Sequence, residues 1–250
     1  RTGGPVVRYL AAAMGEVPSH DRWLTPAEAQ RVAGYTFTKR RDEVRLSRWT
    51  AKHALARTLR LGTEPGVLRR LEIRNAADGA PEVFLAGRRA PLTISSTDRA
   101  DWAVCTVIGG ERPIGCDLEL VEARSDGFIA DYFTPAEQEL VASSPVDREV
   151  LANLVWSAKE SALKVLRTGL RRDTRSVEVR VGVVELEGWS ALYVTTSEGL
   201  HFTGWWRRFG SFVFTYVSAA TTGPPVSLIE PIPLLSAVPS HTWLDNPVRQ

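Results

Sequence analysis

An internal echo limits the fold of this chain more than any other feature. Leu24-Thr25-Pro26-Ala27-Glu28 returns as Phe133-Thr134-Pro135-Ala136-Glu137, and Trp49-Thr50-Ala51-Lys52 returns as Trp156-Ser157-Ala158-Lys159. Read on without a gap, Arg57 meets Lys164 and Leu59 meets Leu166; the offsets of the two matches, 109 and 107 residues, are nearly equal. Each Thr-Pro-Ala-Glu is a helix start, with threonine as cap, proline at the first helical position and glutamate placed to close a capping box. One copy would be routine. Two copies, each followed by a Trp-[Thr/Ser]-Ala-Lys helix, predict duplicated halves of about 110 residues packed as a pseudo-dimer.

Strand signals divide the same way. Residues 71–74, 83–85, 92–95 and 102–108 are short apolar or alternating runs between turn residues, and 114–120, 177–184, 191–195, 200–205 and 212–218 repeat the pattern. The expected fold class is therefore α+β, two similar halves at 1–110 and 111–222, each a mainly antiparallel sheet packed with helices. From residue 223 to residue 250 prolines recur, at 224, 225, 231, 233, 239 and 247, which predicts an extended tail laid on the surface or disordered.

Chemistry gathers in the second half. In the strand expected over 114–120, a two-residue period puts Asp117 and Glu119 on one face, about 7 Å apart. They read either as the polar outer face of a half-exposed strand or as a pair sharing a divalent cation. A helix over 151–167 buries Leu151, Leu154, Val155, Ala158, Ala162 and Leu166, while Trp156, Glu160 and Lys164 fall at i+4 steps on another face. An exposed Glu-Lys pair would explain two of those three, but the large indole on the same stripe argues that this face also meets something. Three acids and a lysine suit magnesium on a polyphosphate. In the first half, Arg40, Arg48 and Lys52 follow four- and eight-residue steps, so they form either a solvated basic surface or an anion-binding face.

These residues resemble the signature of Sfp-type 4′-phosphopantetheinyl transferases. Gly115-Cys116-Asp117-Leu118-Glu119 is similar to that family's G-[IV]-D-[IVL]-E. Trp156-Ser157-Ala158-Lys159-Glu160-Ser161-Ala162-Leu163-Lys164, then Gly169-Leu170, is similar to its W-[ST]-x-K-E-[SA]-x-x-K. Arg40-Arg41-x-Glu43 through Arg48 looks like its R-R-x-E-F-x-x-x-R, so the resemblance spans roughly residues 25 to 220. It implies a pseudo-dimer with coenzyme A between the halves. The reaction would move the phosphopantetheine arm of coenzyme A onto a carrier-protein serine, releasing adenosine 3′,5′-bisphosphate. Asp117, Glu119 and Glu160 would be Mg2+ ligands, Glu160 also the general base, and Lys164 a contact to the phosphates.

Arg40 and Arg48 would take the phosphorylated adenosine, with Lys52 as a further contact. Two departures touch the cofactor contacts: the family's S-H-[ST] reads Ser95-Ser96-Thr97, and its G-K-P turn reads Gly79-Ala80-Pro81 with Arg88 or Arg89 as substitutes. Ser95 and Ser96 therefore remain in the expected cofactor site. An acidic acyl or peptidyl carrier protein calls for a basic, apolar rim, expected at Phe128, Ile129, Tyr132 and Phe133 with Arg124. A coenzyme A or nucleotide-binding module without catalysis is the alternative, which the retained trio of mutually repelling acids disfavours.

Bulk properties narrow the remaining classes. With 44% hydrophobic and 24% charged residues the 250-residue chain can bury a core, and a net charge of +2 is too mild for a nucleic-acid partner. Cys105 and Cys116 make no disulfide framework, and His20, His53, His201 and His241 match no zinc spacing. No apolar run reaches the length of a membrane span, so a cytoplasmic protein, and by its duplication a monomer, is expected.

Overall fold

The computed structural model describes residues 4–144 and 147–239. Its first half contains β1 (Val7–Ala13), α1 (Pro26–Ala33), α2 (Thr38–Thr58), α3 (Pro65–Leu68), β2 (Leu71–Asn75), β3 (Pro81–Leu85), β4 (Arg88–Arg89), β5 (Leu92–Arg99) and β6 (Trp102–Gly109). The second contains β7 (Ile114–Leu120), α4 (Asp126–Tyr132), α5 (Pro135–Ala142), α6 (Arg148–Val165), β8 (Val177–Leu186), β9 (Trp189–Thr196), β10 (His201–Phe209) and β11 (Phe212–Ser218), followed by β12 (Val226–Ser227) and α7 (Ile232–Leu235). The strands form three sheets, β12-β1-β6-β5, β2-β3-β4 and β7-β11-β10-β9-β8. Among the described residues only the β1–β12 pair is parallel. The architecture is α+β in a two-half arrangement.

The echo turns out to encode one buried device, built twice. In each half the capping threonine accepts a hydrogen bond from the backbone N–H of its glutamate, which in return accepts one from the threonine N–H: Thr25 with Glu28, and Thr134 with Glu137. The same glutamate accepts from a strand N–H, that of Ile73 at 3.0 Å or of Val179 at 2.7 Å. It then pairs with the lysine of the long helix: Lys52 Nζ lies 2.5 Å from Glu28 and Lys159 Nζ 2.7 Å from Glu137. Both lysines are fully buried and spend their remaining protons on carbonyls, Trp23 and Leu68 for Lys52, Thr174 and Val177 for Lys159. A desolvated ammonium is tolerable only with this degree of pairing. One glutamate thus ties the short helix, the long helix and the first strand of the following hairpin together.

Lys52 is therefore corrected as a cofactor contact. Its spacing from Arg48 is helical as expected, but its ammonium points into the first core. The rest of the basic stripe on α2 also divides. Arg45 is held by Asp21 and the Pro18 carbonyl, Arg41 donates to the Tyr35 carbonyl, Arg40 is largely exposed beside Glu43, and Arg48 lines the cleft while meeting Glu28 and Asn75 of its own half.

The halves meet where β5 lies beside β7, and the odd residues of β5 supply the seam. Ser95 Oγ accepts from the Cys116 N–H at 3.0 Å, Thr97 Oγ1 from the Leu118 N–H at 3.2 Å, and Arg99 reaches Glu119 and Glu122. β5 extends four residues beyond the strand expected at 92–95, and that added length makes the Thr97 and Arg99 contacts. Behind this seam Ile94, Cys105 and Val107 pack with α2, while Leu154, Ala158 and Ala162 pack the second sheet against α6.

Of the two states expected for the segment after residue 222, extended on the surface or disordered, its described part takes the first and adds a short helix, α7. Val226 and Ser227 pair with Arg8 and Tyr9 of β1, the Leu228 N–H donates to the Tyr9 carbonyl at 2.9 Å, and Leu234 is fully buried. The prolines do not prevent this, because an added edge strand needs donors at few positions. Residues 240–250, including His241 and Pro247, lie outside the described residues. Among the described residues no helix is long and apolar enough to cross a membrane.

Removing one partner of a buried pair strands the other charge, which costs roughly 3–5 kcal/mol. Lys159→Ala and Glu137→Ala are each expected to lose stability of that order in urea denaturation. The double variant Lys159→Met/Glu137→Leu should lose less than either.

Candidate active site

Gly115 explains how helix and strand can cooperate. A Cβ there would lie 1.9 Å from the Ser161 carbonyl oxygen and 2.9 Å from Lys164 Cβ, so α6 runs directly against β7 where the side chain is missing. The helix is fastened in that position by its serines. Ser157 Oγ and Ser161 Oγ lie 2.9 and 2.7 Å from Thr215 Oγ1, and Thr215 is the β11 residue opposite Asp117. Most positions of the Trp156 to Lys164 motif then have a direction: Ser157 and Ser161 to the sheet, Ala158, Ala162 and Leu163 to the core, Lys159 to Glu137, and Glu160 and Lys164 toward the carboxylates of β7.

Asp117, Glu119 and Glu160 share one neighbourhood. Burial, reinforced by the charge of Asp117, pushes the carboxyls of Glu119 and Glu160 up to about 7. Asp117 Oδ1 accepts from Thr97 at 3.2 Å and lies 3.3 Å from Lys164 Nζ, whereas its Oδ2 is buried with no hydrogen-bond partner. Lys164 also donates to the Cys116 carbonyl at 2.7 Å; burial disfavours its charge, but Asp117, Cys116 and Glu160 outweigh that and push its pKa up. Glu119 is met by Arg99 at 3.3 Å and Arg124 at 3.2 Å. Among the described residues no three acids, histidines or cysteines are closed around a point as a ready metal cage. A divalent cation nonetheless fits this donor set: it would satisfy the orphaned Asp117 oxygen and relieve the repulsion that raises the two glutamates.

Beside this group a cleft of about 990 Å³ opens between the halves. Lys164 lines it and also contacts Asp117, so it belongs to both places. Of the other expected cofactor residues, Arg48, Ser95 and Ser96 line the cleft and Arg40 does not. Ser95 has already committed its hydroxyl oxygen to the seam. Arg48 donates to Asn75 at 3.1 Å at the cleft edge. Arg89 lines the cleft while paired with Glu82 and Glu111, and Arg88 lies outside it.

The sequence reading missed Arg112, Arg167 and Arg171, three further cations on the cleft wall. Arg167, three residues beyond Lys164, bridges to Asp78 on the opposite half at 3.3 Å, beside the turn that reads Gly79-Ala80-Pro81. Helical spacing from Lys164 was the available signal. The expected partner rim changes too. Ile129 and Phe133 are core residues, and Arg124 is turned inward onto Glu119 and Asn153, leaving Phe128 and Tyr132, both edge-to-face with Trp156, as the accessible aromatics. In the first half His53 stands at the position matching Glu160, packed on Trp49, with burial lowering its pKa to about 4.

Residues 113–214 match the family model of the 4′-phosphopantetheinyl transferase superfamily. This stretch, less than half of the chain, runs from β7 into β11 and contains all three acids and Lys164, so the part of the chain that carries the candidate site is similar to that superfamily. Among solved structures, a holo-(acyl-carrier-protein) synthase from Bacillus anthracis str. Ames, in complex with CoA (3′,5′-ADP), matches at 18% identity and a TM-score of 0.36, over 43% of this chain and 100% of that one. No curated protein matches the chain.

Glu119 and Glu160 hold their protons more tightly folded than unfolded, so their contribution to stability is full below about 4.5 and is lost as pH rises through about 7. Without divalent ions, the melting temperature should fall between about pH 5 and about pH 8. Glu160→Gln should flatten that fall, and Mg2+ should reverse part of it for the native sequence only.

Proposed function

We propose that this chain is an Sfp-type enzyme that transfers the 4′-phosphopantetheine arm of coenzyme A to a serine of an apo acyl or peptidyl carrier protein, with Mg2+ held by Asp117, Glu119 and Glu160. The observation that carries this reading is Lys164, which lines the cleft and lies 3.3 Å from Asp117, so that one side chain reaches both the cleft and the acids. A cleft of this size with Arg48, Arg112, Arg167 and Arg171 on its walls suits a phosphorylated nucleotide.

In this reading Lys164 offsets charge on the diphosphate, and the arginines and Ser96 orient the rest of coenzyme A. The cation, when bound, supplies charge stabilisation for the diphosphate oxygens. Glu160 accepts the proton of the carrier serine as its oxygen forms a bond to the β-phosphorus. The bond from that phosphorus to the bridging oxygen breaks, and adenosine 3′,5′-bisphosphate leaves with the electron pair. The α6–β7 contact at Gly115 excludes bulk from beneath these groups and fixes their spacing.

Incubation with coenzyme A, Mg2+ and an apo carrier protein should add one phosphopantetheine to the carrier by intact mass. Glu160→Gln should cut the transfer rate about 10²- to 10⁴-fold while the melting temperature is kept or raised. Near-normal transfer by that variant would remove Glu160 from its role, and coenzyme A binding without any transfer by the native sequence would support a binding module instead.

A further inference from the structure

We propose that Arg124 is a positioning residue for Glu119, clamped in place by Asn153, and that it presets which oxygen of Glu119 faces the cation site. The inference rests on the reading of the three acids as that site.

Arg124 lies between β7 and α4, and its guanidinium meets three different elements. Nε donates to Asn153 Oδ1 on α6 at 2.8 Å, Nη2 donates to Glu119 Oε2 on β7 at 3.2 Å, and the carbon of the group sits 4.8 Å from the centre of the Phe128 ring on α4. Asn153 cannot turn away. It is fully buried, and its Nδ2 donates to the Glu122 carbonyl at 2.7 Å and the Glu149 carbonyl at 2.8 Å, which directs Oδ1 at the arginine.

The clamp acts on one oxygen only. Arg99, arriving from the first half along β5, also approaches Glu119 Oε2, at 3.3 Å. Both arginines therefore approach the carboxylate at the same oxygen, Oε2. A guanidinium so close to a divalent cation would otherwise be a repulsive neighbour; placed on Oε2 it instead fixes the ligand that faces inward. The planar fork matters, because it satisfies Asn153 and Glu119 together, and an ammonium is a point donor without that geometry. With a tenth of the side chain exposed, this is not a surface ion pair of negligible effect.

Partners that orient a metal ligand typically govern 10- to 100-fold in metal affinity. The test is Mn2+ binding to the full chain with coenzyme A present, followed by electron paramagnetic resonance of the free ion, alongside the Mg2+ dependence of transfer, the KM for coenzyme A and the melting temperature. Arg124→Ala is expected to weaken Mn2+ binding and raise the half-saturating Mg2+ concentration about tenfold, with the KM for coenzyme A within about twofold. Arg124→Lys should recover the melting temperature but only part of the ion affinity.

Native-like Mn2+ and Mg2+ dependence in Arg124→Ala would overturn the proposal. So would a lysine variant that restores everything together with stability, since the arginine would then be only a structural filler. A native sequence that binds no Mn2+ and transfers nothing would overturn the functional reading and this inference with it, an outcome distinct from the other two.

Discussion

Everything at the carboxylate site depends on the absence of one side chain. Gly115 lets the backbone of α6 rest on β7 at a distance that no other residue permits, with a Cβ falling 1.9 Å from the Ser161 carbonyl. Inserting even a methyl group into so tight a contact typically costs about 1–3 kcal/mol and moves backbone. Here it would also move Glu160 and Lys164 together, since both lie within one turn of Ser161. Stability and chemistry are set at the same contact, which is why glycine, acid pair and helix motif form a unit.

The duplicated buried ion pair does for the whole helix what Gly115 does for one turn. Glu137 joins α5, α6 and β8 by accepting from three groups, and Glu28 does so for α1, α2 and β2. The two halves share this scaffold and differ in what the next helical position carries, His53 in one and Glu160 in the other. A half-buried imidazole, held neutral by its surroundings, packs on Trp49, whereas a carboxyl at the equivalent place meets the charge of Asp117.

Much of this was legible in the sequence, for identifiable reasons. The strand at 114–120 was bounded to the residue because its alternation is flanked by Pro113 and by a charged loop. The helix of the second motif was placed within a few residues, and its period set Glu160 and Lys164 on one face, where both meet the charge of Asp117. Lys52 was misread because a helical wheel assigns a face and not a partner; the matching Lys159 and the two capping glutamates held the correction, since a lysine echoed together with an acid suggests a pair. Arg99 and Arg124 were not recognised as partners of Glu119 because they come from other elements, at separations where no periodicity speaks. β1 was missed because its run of three alanines carries little strand preference, and it forms on the pairing with β6.

The docking of β12 on β1 has a consequence for how the chain is made. The first sheet has its helix, its hairpin and its seam strand within the first 110 residues or so, yet the outer edge of β1 is covered by residues 226 and 227. During synthesis the N-terminal half leaves the ribosome with that edge open until more than a hundred further residues have followed. An uncovered strand edge is a template for pairing with other chains. The proline-rich segment therefore acts as a late closure, and the interval before it arrives is when the nascent protein is most open to misassembly.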